Sequence, residues 1–281
     1  MKNNWDKIVT PKRGLMSLNF KEIFSYLDLL FLFVKRDFIS IYKQTLIGPI
    51  WFFIQPVLTT FIFTIVFGKI AGISTDGVPQ ILFYLSGITF WNYFSDCLLR
   101  TSNTFIENQH IFGKVYFPRL IIPLSLVISS LLKFSIQFFL FLLVFFFYYF
   151  SSETSLKPNF QIFLFPYLIV LTGLLSLGLG IIITSITTKY RDFRFLIQFG
   201  IQLWMYITPI IYPLSSLGGK LKIMAILNPM TSIVETFKYS FLGHGTFEWG
   251  YILYSTVFTL LTLFLGIILF NKTEQNFMDT F

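Results

Sequence analysis

Cysteine is almost missing from this chain. Cys97 stands alone in 281 residues, which excludes an internal disulfide and any cysteine-based metal site. Histidine is nearly as scarce: His110 and His244 are the two present, and the charge pattern below puts them on opposite sides of a membrane, where they cannot share a metal. Charged residues make up only 12%. No two carboxylates stand close together within an apolar run, as an intramembrane enzyme or a proton-driven carrier would be expected to show. A phosphate-cradling Gly-x-x-x-x-Gly-Lys-Ser/Thr is missing too, because Gly68-Lys69, Gly113-Lys114 and Gly219-Lys220 are each followed by an apolar residue.

What is abundant is apolar surface. Hydrophobic residues reach 55%, more than a soluble core needs, so the chain reads as an integral membrane protein. Six apolar runs are long enough to cross a bilayer as helices: 46–67, 80–99, 120–150, 162–188, 195–213 and 249–270. A barrel would show ten-residue alternating strands instead. Of the 21 lysines and arginines, fifteen lie before the first run, between the second and third, between the fourth and fifth, and after the sixth. The positive-inside rule then places both termini in the cytoplasm. The net charge of +8 is accounted for by this topology and is not read as nucleic-acid binding.

Residues 1–45 lack the small-residue cleavage pattern of a signal peptide. Within them Phe24, Leu27, Leu30, Phe31, Val34, Phe38 and Ile41 share one helical face, which predicts an amphipathic helix lying in the interface. Gly48 and Pro49 turn the chain into the first span, where Gln55 and Pro56 either line a cavity or mark a kink satisfied by a neighbouring helix. In the second span Asp96 is expected to pair with Arg100 one turn later. Between the second and third spans, Glu107 to Lys114 forms a short polar insert that can stand clear of the membrane and be pushed. The third run carries Lys133 in its middle, facing an aqueous lumen or snorkelling. The fourth holds Gly173, Ser176 and Gly180 on one face, a pattern for close helix approach.

In the fifth run Gln198, Gln202, Trp204, Tyr206, Thr208, Pro209, Tyr212 and Pro213 gather amides, hydroxyls and rings near the outer surface. They form either an interfacial aromatic belt or a ring-lined path on which sugars stack their C–H faces and pair their hydroxyls with amides. The 214–248 segment contains two stretches too short to cross, 221–227 and 231–242, which read as re-entrant half-helices able to close the outer mouth. The chain thus divides into 1–45, a permease-like bundle over 46–270, and a cytoplasmic tail over 271–281.

In this order and topology the segments resemble the membrane subunit of bacterial type-2 ABC exporters for polysaccharides. The likeness rests on Arg36-Asp37, the stretch from Tyr42 to Trp51, Gln55-Pro56, Leu85-Ser86-Gly87 and Trp91-Asn92. It continues through Lys114-Val115-Tyr116-Phe117-Pro118-Arg119, Tyr190-Arg191-Asp192, Gln202-Leu203-Trp204, the run from Thr208 to Pro213, and Leu227-Asn228-Pro229-Met230. Each motif is weak alone, and together they cover nearly the whole chain. The family pattern does not account for Lys133.

The resemblance implies an all-α polytopic protein of the bacterial cytoplasmic membrane that works as a homodimer with two copies of a separate ABC ATPase. It implies that the ATP and Mg are bound by that partner and no cofactor by this chain, that a lipid-linked polysaccharide is the substrate, and that membrane lipids surround it. Glu107, Asn108, Gln109, His110, Ile111, Phe112, Gly113 and Lys114 would form a coupling helix reaching about residue 116. Tyr42, Gln44, Thr45, Gly48 and Trp51 would sit at the substrate entrance, with Phe52, Gln55, Gln198, Gln202, Trp204 and Tyr206 lining the channel. Thr208, Pro209, Tyr212, Pro213, Asn228 and Pro229 would form the outer gate. O-antigen is the first choice of glycan, with teichoic acid and capsule next. A secondary carrier for a small solute would transport without any ATPase, and a membrane glycosyltransferase would show paired interfacial carboxylates.

Overall fold

The structure, a computed structural model, describes residues 20–43, 48–112, 114–151, 156–190 and 192–276. Gln44, Thr45 and Gly113 lie outside the described residues, as does the side chain of Tyr42. Every regular element among the described residues is helical. A short α1 (Phe20–Ser25) leads into α2 (Leu27–Lys43). After a 3-10 turn at Gly48–Ile50, α3 (Trp51–Phe63) continues as a π-helical stretch, Thr64–Ile70. Then come α4 (Gln80–Ser102), two single-turn helices α5 (Thr104–Glu107) and α6 (Gln109–Phe112), and the long α7 (Ile121–Phe150). The second half holds α8 (Phe165–Thr187), α9 (Phe193–Ile207), α10 (Gly219–Leu227), α11 (Pro229–Leu242) and α12 (Trp249–Asn276).

Among the described residues four helical stretches are long and apolar enough to cross a membrane: Trp51–Ile70, Ile121–Phe150, Phe160–Thr187 and Trp249–Gln275. The other two expected spans are α4 and α9, and each falls short for a physical reason. At 23 residues α4 is about 34 Å long, but it carries polar and charged groups because it runs through the middle of the bundle. Leu82, Tyr84, Phe90, Phe94 and Cys97 on it are fully buried against α7, α8 and α11. With only 15 residues, about 22 Å, α9 stops where Thr208 and Pro209 leave helical geometry. The helix at the chain's C-terminal side runs past residue 270 to Asn276, so the expected tail begins as a continuation of α12.

Two cores hold the helices. The larger surrounds α4 and contains a phenylalanine cluster in which Phe90, Phe138, Phe141, Phe165, Phe237 and Phe241 meet at centroid distances of 4.3 to 6.3 Å. Here α8 passes so close to α4 that a Cβ on Gly180 would stand 2.6 Å from the Thr101 side chain. The smaller core lies at the other end. Leu30, Phe33 and Val34 of α2 join Phe105, Phe112, Phe117, Ile121 and Phe270 there. The packed face of α2 is Leu30, Phe33, Val34 and Asp37, while Phe24, Leu27 and Phe31 of the expected stripe are exposed on the chain itself.

Candidate functional site

The polar insert comes as two separate turns, with Asn108 between them donating from its amide to the Thr104 carbonyl at 3.0 Å. The break gives the insert an inside and an outside. Asn108 and Phe112 are buried; Glu107, Gln109, His110 and Lys114 are exposed, with Ile111 half-buried. Phe112 sits in a run of rings: Phe105 at 5.6 Å, Phe117 at 5.8 Å, then Phe33 of α2 at 5.8 Å from Phe117 and Phe270 of α12 at 4.8 Å from Phe105. Glu107 also accepts from Arg194 of α9 at 3.4 Å, an exposed contact. Beside the insert Arg119 pairs with Glu274 at 3.7 Å and lies over the Phe112 ring. Burial lowers the Arg119 pKa, and Glu274 opposes that shift.

At the expected entrance Gly48 adopts φ 49°, the left-handed region that glycine enters without a Cβ clash, and Trp51 is exposed. One turn further on, Phe52 and Gln55 form one wall of a cavity of about 210 Å³ between α3, α4 and α7. Its other walls carry Asn92, Asp96, Lys133 and Gln137. Lys133 donates to both Asp96 oxygens at 2.9 and 3.1 Å, Ser130 donates to Asp96, and Asn92 donates to Gln137 at 3.2 Å. The Lys133 ammonium lies 5.7 Å from the Phe52 ring centre. The expected Asp96–Arg100 pair is therefore replaced. Arg100 instead reaches Asp37 of α2 at 3.0 Å, and Asp37 also pairs with Arg36 at 2.8 Å. The missed signal was available: Asp96 and Lys133 are lone charges in adjacent apolar runs.

Along α9, Gln198, Gln202 and Tyr206 fall at steps of four and are all exposed, as are Phe195, Leu196, Phe199 and Leu203. Trp204 turns the other way. It meets Phe94 of α4 edge-on at 5.2 Å, near the buried Ile201. The helix thus touches its own protomer along a narrow seam and leaves most of its surface uncovered.

Of the residues expected at the outer gate, Thr208, Pro209, Asn228 and Pro229 are brought together by α11. Asn228 caps that helix by accepting from the Met230 amide at 3.0 Å, and its own amide donates to Thr208 at 2.8 Å. Pro229 occupies the first turn, where its missing N–H costs nothing. Thr208 and Pro209 are buried, and Tyr212 donates back to the Ile207 carbonyl at 2.9 Å. Sequence reasoning missed Lys238. It is buried, donates to the Pro209 carbonyl at 2.7 Å and lies 3.6 Å from the Phe83 ring centre. Glu235, one turn earlier, accepts from the Thr246 backbone at 3.0 Å. A pair of opposite charges three residues apart in an otherwise uncharged stretch is the signal that would have found them. Among the described residues no group of His, Cys, Asp and Glu is arranged to hold a metal ion.

A family model described as "ABC-2 type transporter" matches residues 28–242. The O-antigen export system permease protein RfbA of Klebsiella pneumoniae is 28% identical over 272 residues, 94% of this chain and 99% of that protein. RfbA of Myxococcus xanthus is 25% identical over 226 residues, covering 80% and 84% of the two chains. The polysialic acid transport protein KpsM of Escherichia coli is 22% identical over 230 residues, covering 82% and 87%.

Proposed function

This chain belongs to the ABC-2 type transporter family, and from that premise we propose that it is the permease subunit of an ATP-driven exporter of a lipid-linked polysaccharide. The observation that carries the proposal is the near end-to-end match to a protein named for O-antigen export. O-antigen is accordingly the favoured cargo, ahead of teichoic acid or capsule. The chain works as a transport subunit in the bacterial cytoplasmic membrane, and ATP and Mg are bound by a separate ABC ATPase, two copies to two permeases.

In this reading six helices cross the membrane: α3 with its π-helical extension, α4, α7, α8, α9 and α12, with both termini in the cytoplasm. The α5–α6 insert receives the ATPase movement. Its exposed Glu107, Gln109, His110 and Lys114 suit a docking face, and its buried Phe112 suits an anchor. The uncovered face of α9, with amides set among rings, suits a homodimer whose two copies enclose the passage. The clasp of Thr208, Asn228 and Lys238 suits an outer gate held closed.

Charge reversal at the insert tests the reading. Glu107→Lys with Lys114→Glu should weaken co-purification of the ATPase and lower ATP hydrolysis by the complex at least several-fold. Unchanged docking and turnover would remove the insert from the mechanism. Glycan export that persists when the ATPase is deleted would overturn the exporter reading and favour a secondary carrier.

A further inference from the structure

We infer that the polar cavity between α3, α4 and α7 is a binding site for one uncharged sugar unit of the exported glycan, and that the lipid diphosphate is held elsewhere. This rests on the exporter reading and adds to it a place where the cargo is recognised inside a single protomer.

The first argument is the chemistry of the walls. Gln55, Asn92 and Gln137 each offer an amide that both donates and accepts, matching hydroxyl groups that do the same. Asp96 and Lys133 bring opposite charges that neutralise each other. A diphosphate entering here would meet the Asp96 carboxylate and would have to break the ion pair to reach the ammonium. A polyol needs no such rupture, because it can accept from the one partner and donate to the other. The Phe52 ring on the wall supplies the apolar face against which a sugar's C–H bonds can lie.

The second argument is that the pair is left open. Side chains that served only to lock α4 to α7 would be sealed, yet Lys133 and Asp96 keep 18% and 32% of their side-chain surface accessible. Among the described residues the Gln55 amide takes no hydrogen-bond partner, although it lines the cavity. Size agrees. At about 30 Å³ per liquid water, 210 Å³ holds about seven waters, the space of one monosaccharide and not of a chain. Position agrees as well, since Phe52 and Gln55 lie within the first five residues of α3, beside the expected entrance.

The test uses the permease purified with its partner ATPase in lipid nanodiscs. The probes are lipid-linked glycan extracted from cells lacking the permease, used to stimulate ATP hydrolysis, and undecaprenyl diphosphate without sugar, used as the competitor. Two changes are compared with wild type: Gln55→Leu, and Asn92→Leu combined with Gln137→Leu so that neither amide is orphaned. Each hydrogen bond lost should raise the glycan concentration for half-maximal stimulation by about threefold to tenfold, with the competition by undecaprenyl diphosphate unaltered. Unshifted glycan response in Gln55→Leu and in the double variant overturns the inference, as does weakening of undecaprenyl diphosphate to the same extent as the glycan. Should the double variant not assemble, Gln55→Leu decides alone, because that side chain holds nothing in place. A wild-type complex that the extracted glycan never stimulates strikes at the exporter reading itself and takes the pocket with it.

Discussion

At the scale of single residues, Asp96 and Arg100 are matched to other helices and not to each other. Asp96 and Arg100 are one turn apart, a spacing that favours a local pair, yet each is claimed by another helix, Asp96 by Lys133 and Arg100 by Asp37. The sequence shows which charges are isolated in apolar runs, but their partners depend on how neighbouring helices are rotated. Removing one member should therefore be worse than removing both. Lys133→Met leaves a half-sheltered carboxylate with Ser130 but without its counter-charge and should cost about 2 kcal/mol, between the values for exposed and buried pairs. Lys133→Met with Asp96→Asn should recover most of that loss, read by thermal unfolding in detergent. The Lys238 clasp predicts a separate outcome. Lys238→Met frees the Pro209 carbonyl and should lower stability by about 1.5–3 kcal/mol; an unchanged unfolding temperature would show that the contact holds nothing.

Among the elements, type and approximate ends were legible, and the buried face often was not. Gly48 and Pro49 before α3, the two short stretches after residue 213, and Asn228-Pro229 opening α11 all mark boundaries that the structure places within a few residues. Hydropathy cannot tell lipid from protein, since both accept apolar side chains. That is why the stripe expected on α2 and the face that packs overlap only in part, and why α4, despite its polar and charged residues, is largely enclosed. Trp204 illustrates the same limit. It stands among residues expected to line a passage but packs into α4. The insert gives this scale its prediction. Phe112→Ala empties a site enclosed by Phe105 and Phe117 and should destabilise the protein by about 3–5 kcal/mol. Phe112→Leu should retain most stability. If the insert is the point of coupling, ATP hydrolysis by the complex should fall in the alanine variant more than in the leucine one.

For the molecule as a whole, the all-helical membrane class was legible because long apolar runs announce themselves in the sequence, while assembly was not, because a surface shows no partner. Cys97 is buried and is the sole cysteine, so added cysteines can be labelled singly. Gln109→Cys should react with a membrane-impermeant maleimide from the cytoplasmic side only, and Ser74→Cys from the outside only; the reverse would invert the orientation. Gln202→Cys on the uncovered side of α9 should cross-link two copies in the membrane, and strictly monomeric behaviour would remove the homodimer. The run of rings from Phe33 through Phe117, Phe112 and Phe105 to Phe270 has its own consequence. Tightly packed interiors barely compress, so α2, α12 and the insert should move as one body. Spin labels on those two helices should keep their spacing through a turnover cycle while a label on α9 shifts against both.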